Sequence, residues 1–282
     1  MPKELSHWIL AEKAAVYLKA GVVKEAVSNH PHFYYLGAVV YDCPFYAFGV
    51  ENAQALRSAA RLLHGVDGND TYEPFRLFIQ SFHRDDIEIS AEALSFIAGA
   101  VTHLCGDVTF HPLVNYFSGN ERSADRKKRP NPQRRHRRLE ALLDLYFCGR
   151  TASLHPRRSG ARSAGDSLLN RGRFSTTAAA VAANPELAED IIGRFYWPED
   201  RLAGVPVLPL LKRHGLIQKQ FFNRGLTGVL GFLGMLLGGS IGITAATFYP
   251  VLIQRKALRN PEKTFPFFFL FLSIYIFFSK VE

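Results

Sequence analysis

The sequence has few cysteines, since only Cys43, Cys105 and Cys148 occur in 282 residues. Their number is odd and they are far apart, so a disulfide framework is not expected. They also lack the paired spacing with which thiolates hold structural zinc. This composition favours a protein of a reducing compartment.

The sequence also lacks the uninterrupted apolar run that opens a secretory signal. Charged and polar side chains interrupt the N-terminal segment at Glu4, His7, Glu12 and Lys13. We therefore expect no signal peptide and a location in the cytoplasm, either free or at the inner face of a membrane.

No segment shows the alternating pattern of a half-buried strand, and no internal repeat is evident. Apolar residues make up 48% of the chain, which is enough for a sizeable core. Lys and Arg exceed Asp and Glu by 34 to 25. That excess favours phosphorylated substrates, nucleic acid or acidic lipid as partners, although a basic surface without a partner explains it equally well. The expected fold class is all-α.

Apolar spacing and cap signals predict a series of helices and loops. Pro44 argues against a continuous helix through the apolar stretch 33–50. Ser90 is a suitable N-cap for a long central helix that is apolar on most sides. The predicted helices are 4–20, 22–29, 51–63, 72–83, 91–117, 136–147, 176–183 and 185–197, with loops at 64–70 and 119–135 and a flexible connector at 150–173.

The central helix carries His103, Asp107 and His111 within HLCGDVTFH. Positions four apart drift by only about 40° around a helix, so the three side chains share one face. Burying a carboxylate and two imidazoles in an apolar helix is costly unless they have partners. A metal ion is such a partner, because zinc binds both groups.

Other candidate ligands are weaker when each is taken alone. His136 and Glu140 repeat the spacing of four on a later helix, a pattern that also arises on solvated helices. His7 lies on the first helix, Asp42 is the single charge in a long apolar stretch, and His64 opens a glycine-rich loop. Taken one at a time, those three are better explained as partly exposed histidines and a turn-capping aspartate.

Taken together, these residues resemble the zinc-dependent phospholipase C family. The resemblance covers about residues 3–150 and is carried by their order and by the segments SHWILAEKA, LGAVVYDCP, LLHG, HLCGDVTFHP and RHRRLEALLDLYF. The same pattern is similar to that of the N-terminal domain of glycosylphosphatidylinositol-specific phospholipase D. The fungal and plant single-strand nucleases are more distant.

The resemblance implies a multi-helix bundle around two or three zinc ions. By carry-over, one zinc is held by Asp42, His64, His103 and Asp107, a second by His111, His136 and Glu140, and a third by His7 and the bridging Asp107. Asp42 is also the expected general base.

Two features depart from the secreted members of the family. Those enzymes use the amino group of an N-terminal Trp as a ligand of the third zinc, and here six residues precede His7. They also place two more residues between the bridging Asp and the next His. The shorter spacing from Asp107 to His111 resembles the intracellular and phospholipase D-like branch, so the head group of the substrate is not inherited.

The expected function is a metal-dependent phosphodiester hydrolase, phospholipase C-like, in which zinc activates water. A nuclease or small phosphodiesterase is the alternative within the enzymes, and a non-catalytic, metal-stabilised membrane protein is the alternative outside them. The expected partner is a phospholipid or another phosphodiester at a membrane surface, with nucleic acid less favoured.

Two further regions bear on partners. Residues 122–138 are dense in Lys and Arg. This charge is interpreted either as an electrostatic guide for phosphate head groups or nucleic acid, or as a mobile, solvated loop. Residues 225–253 carry no charged side chain, and 264–280 are rich in Phe. Either these apolar segments associate with a membrane, or the first packs on the catalytic part and the second is a disordered or aberrant terminus. The predicted division is a metal-binding core at 1–150, a connector with further helices at 151–200, and an apolar region at 201–282.

Overall fold

The chain is helical wherever its structure is described. A computed structural model describes residues 4–47, 49–65, 68–119, 130–153, 177–196 and 207–220, together with positions 229, 232, 233 and 236. Within these ranges every regular element is a helix, which confirms the all-α prediction. The helices are α1 (Glu4–Tyr17), α2 (Val22–Asn29), α3 (Pro31–Gly37), a short 3-10 turn (Cys43–Tyr46), α4 (Ala53–Leu63), α5 (Glu73–Arg84), α6 (Ala91–Ser118), α7 (Pro130–Ser153), α8 (Thr177–Ala183), α9 (Pro185–Tyr196) and α10 (Val207–Gln220).

Several helix ends are set by side chains visible in the sequence. Ser90 caps α6 as predicted, because its hydroxyl accepts a hydrogen bond from the Ala93 amide at 3.2 Å. Asn184 caps α9 in the same way through the Leu187 amide at 3.1 Å. Pro44 lies in the 3-10 turn, and the break that it predicted within 33–50 is confirmed.

Three features differ from the predicted elements. The helix expected from residue 136 begins at Pro130, since proline in the first turn of a helix has no amide that needs an intrahelical acceptor. It ends at Ser153, beyond the expected start of the connector at 150. The prediction also missed α3 and α10. The first of these is a seven-residue helix, too short for its periodicity to stand out in an apolar stretch.

Two compact units make up the chain. The first unit comprises His7–Gly106 and Phe174–Gln220, and the second comprises Met1–Ser6, Asp107–Arg173 and Phe221–Glu282. The core of the first is rich in phenylalanine: Phe96 and Phe195 meet edge to face with ring centroids 5.4 Å apart. In the second unit, Leu113, Val114 and Leu143 are buried together. The predicted domain boundaries at 150 and 200 stay a prediction.

Among the described helices, α6 has the length and apolarity needed to cross a membrane. Its most apolar window has a mean hydropathy of 1.4, and 56% of that window is buried inside the protein. The core helix of a soluble protein passes the same test, so the burial agrees with the central helix predicted from the sequence. The tail segments 225–253 and 264–280 lie outside the described residues, apart from the four single positions.

Helices α3 and α6 approach each other more closely than any side chain allows. A Cβ atom on Gly99 would lie 2.0 Å from the Tyr34 carbonyl oxygen, and one on Gly37 would lie 2.0 Å from the Phe96 carbonyl oxygen. The two backbones are therefore in direct contact, and glycine is required on both sides. This contact fixes where α6 lies relative to the residues that follow α3.

Replacing Gly99 with alanine is expected to destabilise the protein by about 1–3 kcal/mol, because the new methyl group meets backbone that cannot move aside. The matched control is Gly193→Ala within α9, where an added Cβ has no atom within 4 Å. That control is expected to gain about 0.5–1 kcal/mol from helix propensity. Urea unfolding followed by circular dichroism measures both. Equal stability of the two variants would contradict the close crossing.

Candidate metal centre

Asp42 lies in a run of tight turns after α3, named here the Asp42 turn (residues 38–46). Its amide donates to the Val39 carbonyl at 3.1 Å, and its own carbonyl accepts from the Phe45 amide at 3.0 Å. The residue is buried, with 4% of its surface exposed. A carboxylate at this depth requires a positive or hydrogen-bonding partner.

His64 closes α4 and faces Asp42. Its Nδ1 lies 2.6 Å from the Ala60 carbonyl oxygen, and its Nε2 lies 3.4 Å from Asp42 Oδ1. A carbonyl oxygen can only accept, so Nδ1 carries the proton and a neutral ring keeps its lone pair on Nε2. Gly65 follows with φ +65°, the left-handed conformation that ends a helix at glycine. The LLHG segment thereby directs the unprotonated nitrogen of His64 at Asp42.

His103 is directed in the same way from α6. Its Nδ1 lies 2.8 Å from the Ala38 carbonyl oxygen, at the start of the Asp42 turn. The same reasoning leaves the lone pair of a neutral ring on Nε2. Such a carbonyl contact fixes the tautomer and orientation of histidines that bind metals. The close crossing of α3 and α6 brings Ala38 within reach of this ring.

Asp42, His64 and His103 converge on one point of the first unit. Each offers one ligand atom, and these three atoms all lie within 4.8 Å of one another. A carboxylate oxygen and two imidazole nitrogens are ligands that zinc accepts. The residues come from three separate elements and are shielded from water, so the donor set fits a zinc ion.

His7 enters the first unit from α1 and stacks on His103. The two ring centroids are 3.9 Å apart and their planes differ by 11°. Gly106 leaves room for it, since an added Cβ would lie 3.2 Å from His7 Nδ1. A larger residue at position 106 would crowd the His7 ring, which explains the glycine of the HLCGD segment.

Further along α6, Asp107 follows His103 by one turn and His111 follows by another, as the spacing predicted. Asp107 is buried at 7% exposure, and His111 is half-buried. One face of a single helix thus carries all three polar side chains.

The second unit holds the remaining predicted ligands. His136 Nε2 lies 2.8 Å from Glu140 Oε1, and the rings of His111 and His136 are 6.0 Å apart. Arg137 Nη1 contacts the other oxygen of Glu140 at 3.2 Å. Burial by itself raises the pKa of the Glu140 carboxyl, but positive charges nearby, among them Arg137 and His136, hold that pKa well below its usual range. Glu140 therefore stays ionised, the state in which a carboxylate can bind a metal.

A family model for zinc-dependent phospholipase C matches residues 6–183. The chain belongs to the zinc-dependent phospholipase C family. No curated protein and no solved structure matches the chain. All eight predicted ligands lie inside the matched range, and α9 and α10 lie outside it.

Membership of this family implies zinc as the metal and a phospholipid as the substrate. The structure brings together Asp42, His64 and His103, stacks His7 on His103, and pairs His136 with Glu140. The number of zinc ions and the assignment of individual ligands to each ion stay predictions.

Of the basic residues at 122–138, Arg134, Arg135, Arg137 and Arg138 lie on α7 rather than in a loop.

Sequence reasoning missed Asp144, which is fully buried on α7 one turn after Glu140. Its two oxygens accept hydrogen bonds from the amides of Leu5 and Ser6 at 3.0 Å each, and the Ser6 hydroxyl donates to it at 2.5 Å. Asp144 thereby caps the first turn of α1 from another helix. The spacing of four through residues 136, 140 and 144 was the available signal.

Two more buried residues escaped notice because they lie far along the chain from Asp42. Tyr196, at the end of α9, donates its hydroxyl to the Val40 carbonyl. Burial, with Cys43 and Asp42 nearby, raises the pKa of the Tyr196 phenol well above its usual range, so it remains a donor. His214 of α10 contacts Cys43. No motif or spacing in the sequence marks either residue.

Replacing His103 with alanine is expected to lower the zinc content by about one ion per chain, because a buried ligand nitrogen is lost. The control is His83→Ala, which changes an exposed histidine of α5. Both variants are dialysed with a weak chelator and measured by elemental analysis, with circular dichroism as the check on folding. His64→Ala, at a helix end, repeats the test if His103→Ala misfolds. Unchanged zinc in every folded ligand variant would contradict the site.

Asp144→Asn is expected to destabilise the protein by about 1.5–3 kcal/mol, since buried amides lose a charged acceptor. Asp70→Asn is the control: its carboxylate also accepts a backbone amide, that of Tyr72 at 2.8 Å, but at an exposed site. Urea unfolding of both variants gives the comparison. A loss at Asp144 no larger than that at Asp70 would mean that the cap contributes little.

Proposed function

We propose that this chain hydrolyses the phosphodiester bond of a phospholipid in the manner of a phospholipase C, with Asp42 as the general base. The supporting observation is the buried convergence of Asp42, His64 and His103 in a chain that matches the family over residues 6–183. In this reaction water adds to phosphorus and the bond from phosphorus to the glycerol oxygen breaks. The glycerol oxygen takes up a proton, and the products are diacylglycerol and a phosphorylated head group.

A phosphodiester resists attack because its oxygens are negative. Zinc ions, when bound, neutralise that charge and lower the pKa of water to about 7. Asp42, His64 and His103 would hold one ion, and His111, His136 and Glu140 would hold a second. His7 and Asp107 complete the predicted set.

The residues of the chain supply orientation and proton transfer. The Asp42 carboxylate accepts the proton of the attacking water, a role that requires it to be ionised and held in place. The carbonyl oxygens of Ala60 and Ala38 fix the rings of His64 and His103, so that their ligand nitrogens do not have to be reoriented for each turnover. Exclusion of water from this buried cluster strengthens its electrostatic interactions.

The lipid substrate is supported by membership of the family, and the test uses more than one substrate class. A nuclease or small phosphodiesterase would use the same cluster on a different diester. A cytoplasmic location, either free or at the inner face of a membrane, stays a prediction.

Asp42→Asn is expected to lower kcat at least about 100-fold, because amide nitrogen and oxygen do not replace a general base. Release of the phosphorylated head group from short-chain phospholipids measures it, with zinc content determined on the same samples. Asp70→Asn, an exposed carboxylate in a loop, is the control and is expected to keep wild-type turnover.

Two outcomes would overturn the proposal. If the wild-type protein cleaves only oligonucleotides or small phosphodiesters, the site is that of another hydrolase. If zinc is bound in full and no diester is cleaved, the chain is a non-catalytic, metal-stabilised protein.

A further inference from the structure

We infer that Tyr196 and His214, which lie beyond the family-matched range, are positioning residues that hold Asp42 in its place. The inference rests on the proposed function, in which Asp42 acts on the substrate. All of the contacts involved lie within the first unit. They come from α9 and α10, which follow the end of the family match at residue 183.

The first contact holds the chain before Asp42. The Tyr196 hydroxyl donates a hydrogen bond to the carbonyl of Val40, two residues upstream of Asp42. That carbonyl also accepts the amide of Cys43 at 3.3 Å within the turn. Tyr196 is 7% exposed, and its ring packs near Phe195 in the phenylalanine-rich core. The hydroxyl therefore ties the Asp42 turn to a well-packed part of the first unit.

The second contact holds the chain after Asp42. Cys43, the next residue, is fully buried, and its Sγ lies 2.9 Å from His214 Nδ1. The His214 ring also stacks on Tyr46 at the end of the turn, with centroids 4.9 Å apart and planes 22° apart. One side chain of α10 thus touches both ends of the 3-10 turn that follows Asp42.

His214 is itself fixed by its neighbours. Its Nδ1 lies 3.0 Å from Thr177 Oγ1, and the Gln218 side chain bonds to Thr177 twice, at 3.0 Å through the Thr177 amide and at 3.2 Å through its hydroxyl. Helices α8 and α10 are pressed together here, since a Cβ on Gly215 would lie 2.7 Å from the Ala178 Cβ. Thr177, His214 and Gln218 are almost fully buried. The His214 ring that contacts Cys43 is therefore held in one position by its neighbours.

These contacts flank Asp42 on both sides, at Val40 and at Cys43. A buried hydrogen bond to backbone two residues away limits how far a carboxylate can shift, and displacements of about 1 Å are enough to lower turnover substantially. The ordinary alternative is that the contacts only satisfy buried polar groups and contribute to stability. The two explanations differ in what happens to zinc binding and turnover when stability falls by the same amount.

The test compares Tyr196→Phe with Tyr34→Phe in the full-length protein. Tyr34 is the matched control, because it too is a buried tyrosine whose hydroxyl donates to a backbone carbonyl, that of Ala11 at 2.8 Å, on α1 and not on the Asp42 turn. Both changes keep the ring and remove one hydroxyl. The measurements are the urea midpoint, the zinc affinity by chelator competition, and kcat and KM on a short-chain phospholipid.

Both variants are expected to lower the urea midpoint to a similar extent. Only Tyr196→Phe is expected to weaken zinc binding and to lower kcat, by roughly tenfold or more, with KM nearly unchanged. His214 is tested in parallel: His214→Asn retains a polar group near the position of Nδ1 and is expected to recover most of the zinc affinity that His214→Phe loses.

Equal zinc affinity and equal kcat in Tyr196→Phe and Tyr34→Phe would overturn the inference and leave both hydroxyls with a role in stability alone. Failure of the proposed function gives a different result. If no diester is cleaved by the wild type, a selective loss of zinc affinity in Tyr196→Phe still supports the positioning of Asp42, and equal zinc affinities still refute it.

Discussion

The structure depends on the need to keep carboxylates and imidazoles inside an apolar helical protein. Asp42, His103, Glu140 and Asp144 are all nearly or completely buried. Burying each of these groups without a partner would cost free energy, and each contacts a backbone or side-chain group. Backbone carbonyls orient the histidines, backbone amides satisfy Asp144, and cationic side chains keep Glu140 ionised. A zinc ion fits the donor atoms that converge between Asp42 and the two histidines.

Backbone geometry places those groups at the right distance. The contact between α3 and α6 through Gly37 and Gly99 sets where the chain leaves α3, and so where Ala38 meets His103. Tight turns then carry the chain over four residues to Asp42. The family match covers this part of the protein, whereas the side chains that hold the turn from outside, Tyr196 and His214, come from helices beyond the match.

Much of the fold was predictable because helices are encoded locally. The Ser90 cap, the break at Pro44 and the shared face of His103, Asp107 and His111 all follow from spacing along a few residues. The early start of α7 at Pro130 was missed, because a charged, proline-containing segment has the composition of a loop. The short α3 was missed for a related reason: an apolar stretch with no polar face shows no helical period.

The sequence by itself determined the helical class, the candidate ligands and their resemblance to one family, since these depend on residue type and on short-range spacing. Only the tertiary structure decided which ligands meet. It joined Asp42, His64 and His103, separated by up to 61 positions, and it revealed Asp144, Tyr196 and His214 as partners of segments far away in the chain. Contacts between residues so distant depend on how helices pack, and a single sequence carries no periodic signal of that packing.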